Sequence, residues 1–510
     1  MAKKRRGEAS VSNGASASSG APPEKVERWA LPRLAATSAA ISVVAAALWS
    51  AVASSESDWQ LQLRFLRRAS CRFGTAEQPG SVHAVDFRTL KGLRLPAEIR
   101  CPLLIQGLET AEAWQNLARV ASVEELKRRT PSTVVFDSSP NGEFAYWDNK
   151  TVLAAAVQRV GVLRQSYTKA RAKRKDFFAA LAGKFDSSLG AVRYGGEVSE
   201  FSREIARSIE GPALSALAPQ SGTASRRSLW LGTPGSFSTA HYDNFHNVFV
   251  MLSGEKEFLL SPPTDAPLFK IFPGTHPLAR QARRHWGRRS LQQEGAPASL
   301  ANATAGPRDA RLLAVTLHSS EALFLPAGWL HHVTALSTAV SVALTSNPVE
   351  HGEFNSWMVQ GHEVLPFISD GWTMGRMIAS LRVFIPALLR DLGFGSEPRL
   401  ANWDPLRIMV SDSYGQETRK EIGIPLRLPE FHLGCVDASA DDRKAAEDGA
   451  AKVAARFKEF QEDLMPIYIM PYLETALSKV AGGETDPARI MGTTIAFIET
   501  CLLPPEYASS

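Results

Sequence analysis

Between residues 228 and 347, short apolar runs alternate with turn-forming residues. Leu229–Gly232, Asn247–Leu252, Lys256–Leu260, Leu312–Leu317, Ala322–Leu325 and Ala339–Thr345 are rich in β-branched or aromatic residues, with Ser-Gly, Ser-Pro-Pro, His-Ser-Ser and Pro-Ala-Gly between them. Short strands at hairpin spacing predict a mainly β core, a barrel or a double-sheet jelly roll. Upstream, Cys101–Gln106 and Thr133–Phe136 read as buried strands, and Glu109–Arg129 between them has helical apolar spacing. Residues 164–190 read as a basic helix. Residues 275–310 lack periodicity and are long enough for an active-site flap or a solvated excursion. Beyond residue 352 the pattern turns helical, with long amphipathic stretches at Met377–Leu392 and Asp441–Leu477. Pro386, Pro466 and Pro471 predict kinks or breaks within them. The chain is thus divided into a tail (1–33), an apolar segment (34–53), a connector (54–94), a β-rich domain (95–350) and a helical C-terminal region (351–510).

The apolar segment changes the picture at the N-terminus. Leu34–Ala53 contains 20 residues and no charge, and at ~1.5 Å per residue a helix of that length spans about 30 Å, a bilayer core. Of the chain's net +5, four charges lie in the Ser/Ala/Gly-rich tail before residue 34, while Glu56 and Asp58 follow the segment. The positive-inside rule then predicts a single transmembrane helix of type II, with the bulk of the chain lumenal or extracellular. Ala51-Val52-Ala53 also fits a cleavage site, so a cleaved leader to a secretory compartment or organelle is the alternative. A third reading is an Ala-rich helix or tail of a soluble protein.

Composition narrows the class. A hydrophobic content of 44% and a charged content of 21% over 510 residues exclude collagen-like and polytopic membrane proteins. Cys71, Cys101, Cys435 and Cys501 are too few for a disulfide scaffold and lack C-x-x-C spacing. The remaining near-neutral charge gives no reason to expect a nucleic-acid partner.

Candidate chemistry concentrates in Ser238–Pro263. His241-x-Asp243 lies on an extended segment, where side chains two apart point the same way, so an imidazole and a carboxylate can reach one ion. A third ligand must come from another strand. Phe324–Val333 offers His331 or His332 after a Pro-Ala-Gly turn. Two His and one carboxylate on one face of an octahedral ion form the facial triad of non-haem Fe(II) oxygenases, although zinc can also accept three ligands and water.

These residues, with Asn247, the turn Gly254-Glu255-Lys256 and Pro326-Ala327-Gly328-Trp329-Leu330-His331 in order, resemble the JmjC family of cupin-like Fe(II)- and 2-oxoglutarate-dependent oxygenases. The similarity is greatest to the hydroxylase branch that includes the asparaginyl hydroxylase of the hypoxia factor. The resemblance covers roughly residues 95–350. It implies a double-stranded β-helix of the cupin type with flanking helices, and Fe(II) held by His241, Asp243 and His331. It further implies 2-oxoglutarate anchored by Lys256, with Asn247, Ser238, Tyr194 and Thr345 as further cofactor-binding positions. The chain departs from the family where the final strand runs into Ser346-Asn347-Pro348, which leaves Thr345 or Asn347 as the last polar group of the pocket.

The expected function is hydroxylation of a protein side chain or other macromolecule, consuming O2 and releasing succinate and CO2. A membrane-anchored, non-catalytic cupin serving as a scaffold is the alternative. The C-terminal helices are expected to cap the barrel or to form a homodimer.

Overall fold

The alternating segments fold into β1 (Gly80–Ser81), β2 (His83–Asp86), β3 (Leu103–Gln106), β4 (Thr133–Ser139), β5 (Thr168–Lys173), β6 (Ala191–Glu197) and β7 (Arg226–Gly232). They continue through β8 (Phe237–His241), β9 (His246–Ser253), β10 (Lys256–Ser261), β11 (Leu313–Leu317), β12 (Ala322–Leu325), β13 (Leu330–Ala335) and β14 (Ala339–Ser346). The computed structural model describes residues 71–75, 78–90, 99–183, 190–201, 226–284, 307–348, 364–396, 404–424, 435–460, 465–478 and 487–503, with a few single positions between them.

The strands form two sheets. One has five strands in the order β1-β11-β10-β13-β8, and the other has nine, β2-β3-β12-β9-β14-β7-β6-β4-β5. Among the described residues no ladder closes one sheet onto the other, so the expected barrel or double-stranded β-helix is corrected to a β-rich, cupin-like core of two open sheets. The reason lies in the added strands. The parallel pair β2–β3 extends one edge of the larger sheet, and β6, β4 and β5 carry the other edge outward.

β5 also corrects the basic helix expected at 164–190. Its residues Lys169, Arg171 and Lys173 are exposed while Ala170 and Ala172 are half-buried. That is a period of two, and lysines on an edge strand discourage pairing with another chain. Among the described residues there, only Arg174–Leu181 is helical.

Apolar packing surrounds the sheets. Glu112–Val120, Val123–Arg129 and Arg174–Leu181 are among the helices beside the larger sheet, where Leu117, Leu126, Phe177 and Leu181 pack with Leu229, Leu231, Val248 and Val340. The C-terminal helices bury their apolar faces within the chain. Ile378, Leu381, Phe384, Ile385 and Leu388 of Met374–Asp391 follow the helical period and share a core with Ala450, Phe457, Leu259 and Leu330. Pro386 lies inside that helix without ending it, whereas Asp441–Leu477 resolves into two helices, Ala440–Phe457 and Met465–Ser478. Two disulfides, Cys71–Cys101 and Cys435–Cys501, use all four cysteines.

The membrane expectation is also corrected. Among the described residues no helix is long and apolar enough to cross a membrane. Met374–Asp391, one of the longest, carries Arg376, Arg382 and Arg390. Residues 34–53, on which that expectation rested, lie outside the described residues. The transmembrane helix, the single-pass association and the type II lumenal topology are therefore withdrawn.

Candidate metal centre

β8 ends at His241, and β13 runs antiparallel to it with His331 directly opposite. The two imidazole rings lie 4.1 Å apart between centroids. Asp243 follows β8, and its Oδ2 is 3.8 Å from His331 Nε2. One ligand atom from each of His241, Asp243 and His331 lies within 4.8 Å of the others, the spacing of groups that share one ion.

The donor set is prepared for a cation. His241 Nδ1 lies 2.7 Å from the Thr239 carbonyl and His331 Nδ1 lies 2.9 Å from the Trp329 carbonyl. A carbonyl only accepts, so each Nδ1 carries the proton and each Nε2 keeps its lone pair. Burial, reinforced by His331, lowers the His241 pKa to about 3, and burial also lowers that of His331. Burial opposes ionisation of Asp243. The neighbouring His331, His241 and Arg280 and the hydrogen bond from Asn247 outweigh it and hold the carboxyl below its usual range. Two neutral imidazoles beside one carboxylate are the protonation state that metal binding needs. The residues thus fit a facial two-His, one-carboxylate site for Fe(II).

The turn before His331 is fastened from the Asp243 side. Gly328 donates its N–H to the Asp243 carbonyl (2.8 Å), and Ala327 donates to His246 Nδ1 (3.1 Å). Gly328 has φ +82°, which a residue with a Cβ adopts only under strain. His246 is buried, and through this bond it holds the turn. Asn247 of β9 is also buried, and its Nδ2 donates to Asp243 Oδ2 at 2.9 Å.

The remaining expected site residues divide by strand face. Lys256, at the start of β10, reaches across to the other sheet and donates to Ser341 Oγ of β14 at 2.7 Å. Burial, and then the nearby Arg193 charge, lower its pKa to about 7. Ser238 of β8 accepts from Arg193 Nη1 at 3.2 Å. Tyr194 is not brought to this group. Its ring lies 4.7 Å from that of Phe201 in a tilted pair and packs with the helix-covered core of the larger sheet. Thr345 pairs with Asn247 in the ladder, but its hydroxyl donates to the Arg226 carbonyl at 3.3 Å.

Sequence reasoning missed Arg193, Ser341, Trp230 and Arg280. Arg280 adopts φ +67° and places Nη1 3.4 Å from Asp243 Oδ1. It sits in the aperiodic stretch that gave no positional signal. Arg193 had one available signal, as the lone charge in an otherwise uncharged strand start, Ala191-Val192-Arg193-Tyr194.

Residues 97–347 match the cupin-like domain family, Cupin_8. This part of the chain is similar to a cupin-like domain. Three characterised relatives align with parts of the chain. "Bifunctional peptidase and (3S)-lysyl hydroxylase JMJD7" of Homo sapiens is 28% identical over 127 residues, covering 22% of this chain and 39% of the relative. "Lysine-specific demethylase JMJ32" of Arabidopsis thaliana is 29% identical over 128 residues, covering 21% and 36%. "Lysine-specific demethylase JMJ31", also of Arabidopsis thaliana, is 27% identical over 220 residues, covering 41% and 35%. The alignments span little more than a third of these relatives' lengths. Together with the triad in the cupin-like domain, they support membership of the JmjC/cupin oxygenase family, while the asparaginyl-hydroxylase branch gains no specific support.

Proposed function

We propose that the chain is an Fe(II)- and 2-oxoglutarate-dependent oxygenase that hydroxylates a protein side chain or other macromolecule. The observation that carries this reading is the convergence of His241, Asp243 and His331 from two strands, each imidazole with Nδ1 committed to a carbonyl and Nε2 left for a metal. When bound, iron with 2-oxoglutarate and O2 supplies oxidative decarboxylation, releasing succinate and CO2 and placing one oxygen atom in a substrate C–H bond.

The chain's own residues have separable tasks. The Thr239 and Trp329 carbonyls fix the ring tautomers, and Asn247 fixes the Asp243 carboxylate. Lys256 supplies a buried cation for the distal carboxylate of 2-oxoglutarate, with its ammonium steered by Ser341. Phe249, whose ring lies 6.1 Å from that of His331, helps keep the centre dry. The printed names of the relatives describe lysyl hydroxylation and lysine demethylation. Both act on a side chain of a protein, which favours a protein substrate here.

The test is succinate formation from 2-oxoglutarate by the full chain with Fe(II) and O2. Succinate should form in wild type and disappear in His241→Ala. Equal succinate from both proteins, or none from an iron-loaded, folded wild type across varied peptide substrates, contradicts the proposal.

A further inference from the structure

The space between the sheets holds a second cation that the reading above does not use. In antiparallel ladders, directly paired residues share a face. Arg193 pairs with Gly232, Gly195 pairs with Trp230, and Trp230 pairs with Ser341. Arg193, Gly195, Trp230 and Ser341 therefore share the face from which Ser341 meets Lys256. Gly195 is required there, because a Cβ at that position would lie 2.3 Å from the Trp230 ring. Tyr194, one residue on, points to the opposite face.

Arg193 crosses the gap between the sheets in the direction opposite to Lys256. From the larger sheet its Nη1 reaches Ser238 of the smaller one (3.2 Å), while Lys256 of the smaller sheet reaches Ser341 of the larger. Behind Arg193 lies Asp137, 3.5 Å away, and behind Asp137 lies Lys169, 2.5 Å away. The charges thus run plus, minus, plus from Lys169 through Asp137 to Arg193, and then meet the plus of Lys256 with no anion between.

Donors also outnumber acceptors. Arg193 Nε and Trp230 Nε1 are buried without a hydrogen-bond partner among the described residues, and an unmade hydrogen bond to a buried donor is costly. Phe144, with its ring centroid 4.4 Å from the guanidinium, and Trp230, at 5.4 Å, border Arg193 with aromatic rings that offer Nε no oxygen acceptor.

We infer that Arg193 is a second anchor for the distal carboxylate of the cosubstrate, which completes the alternating row between Arg193 and Lys256. The inference rests on the proposed 2-oxoglutarate reading and deepens it: the ligand must be a dicarboxylate. The site would discriminate against 2-oxo acids that lack the second carboxylate more strongly than a single lysine allows.

The test is calorimetric binding to the full-length protein loaded with Mn(II), a redox-stable stand-in for iron. Two probes are compared, 2-oxoglutarate and 2-oxopentanoate, which lacks the distal carboxylate. Arg193→Gln should weaken 2-oxoglutarate by about 10- to 100-fold, as expected for a lost charge-assisted hydrogen bond. The same variant should leave Mn(II) and 2-oxopentanoate affinities unchanged, and Arg193→Lys should recover part of the loss. Because Arg193→Gln leaves Asp137 short of a partner, Arg193→Gln/Asp137→Asn is measured beside it and should show the same selectivity.

Equal weakening of both probes, or no weakening of either, overturns the second anchor. Failure of wild type to bind 2-oxoglutarate, or indifference to Lys256→Met, overturns the underlying reading instead.

Discussion

The contact that sets the Asp243 carboxylate in place can be removed without changing side-chain volume much. Asn247 is buried on β9 and donates to Asp243 Oδ2 at 2.9 Å, while His331 Nε2 stands 3.8 Å from the same oxygen. Asn247→Leu deletes that donor and leaves Arg280, 3.4 Å from Oδ1, as the other polar contact named above for the carboxylate. A hydrogen bond to a charged acceptor contributes a net of about 1.5–3 kcal/mol. If it is lost only from the metal-ready arrangement, at about 1.4 kcal/mol per decade the metal affinity falls roughly 10- to 100-fold. The assay is Mn(II) titration followed by the electron paramagnetic resonance of the free ion, with circular dichroism confirming the fold. Thr345→Val is the control. Thr345 pairs with Asn247 in the ladder, yet its hydroxyl is spent on the Arg226 carbonyl, so its metal affinity should stay within about 0.5 kcal/mol of wild type. An Asn247→Leu affinity within that same margin, or equal losses in both variants, refutes the reasoning.

Three further outcomes follow from the same geometry. Lys256, with its pKa lowered to about 7 by burial and by Arg193, must be protonated to hold a carboxylate. The 2-oxoglutarate affinity should therefore fall about tenfold per pH unit above that value, while the ligand-free fold, which holds this proton less tightly than the unfolded chain, gains stability from pH 7 upward; a flat binding profile from pH 6 to 9 contradicts this. Burial alone would raise the Glu421 pKa, but hydrogen bonds from Arg283 (2.7 and 2.9 Å) and the His276 ring, with Nε2 3.4 Å away, bring it to about 2. This depressed carboxylate stabilises the fold by about 3 kcal/mol above pH 4.5 and loses that contribution as the pH falls towards 2, so Glu421→Gln should flatten the acid limb of a denaturation-midpoint profile. The disulfides close loops with sequence separations of 30 and 66, for which the chain-entropy relation gives about 3.6 and about 4.3 kcal/mol; replacing Cys435 and Cys501 by Ser should lower the urea midpoint more than replacing Cys71 and Cys101.

What the sequence made legible follows from its apolar runs and turn residues. Ala322–Leu325 is bounded as the pattern predicts, and β9, β10, β11 and β14 differ from it by a residue or so at an end, because strands buried on both faces read as short continuous apolar runs that turn residues interrupt. The His241-x-Asp243 spacing pointed to two of the three candidate ligands, one at the end of β8 and one just past it, and the Pro-Ala-Gly turn pointed to the third. Strand face was harder to read. Arg193 and Tyr194 are neighbours, and the choice of which points inward depends on the register with β7, a long-range pairing that local pattern does not record. The same ambiguity turned the basic stretch around Lys169 into a helix on paper and an edge strand in the fold. Sheet extension by β4, β5 and β6 was invisible for a related reason, since hydrogen-bond partners across a sheet leave no local signature. Pairing of the cysteines depends on contacts over similarly long separations, with no motif to announce it.

The central claim is that His241, Asp243 and His331 assemble one iron site that admits a chelating 2-oxo acid. Anaerobic addition of Fe(II) and then 2-oxoglutarate to the full chain tests it directly. The account predicts a weak visible charge-transfer band that saturates at one iron and one 2-oxoglutarate per chain and vanishes in Asp243→Ala. A band that persists in that variant, or no band from a folded wild type with iron bound, contradicts it.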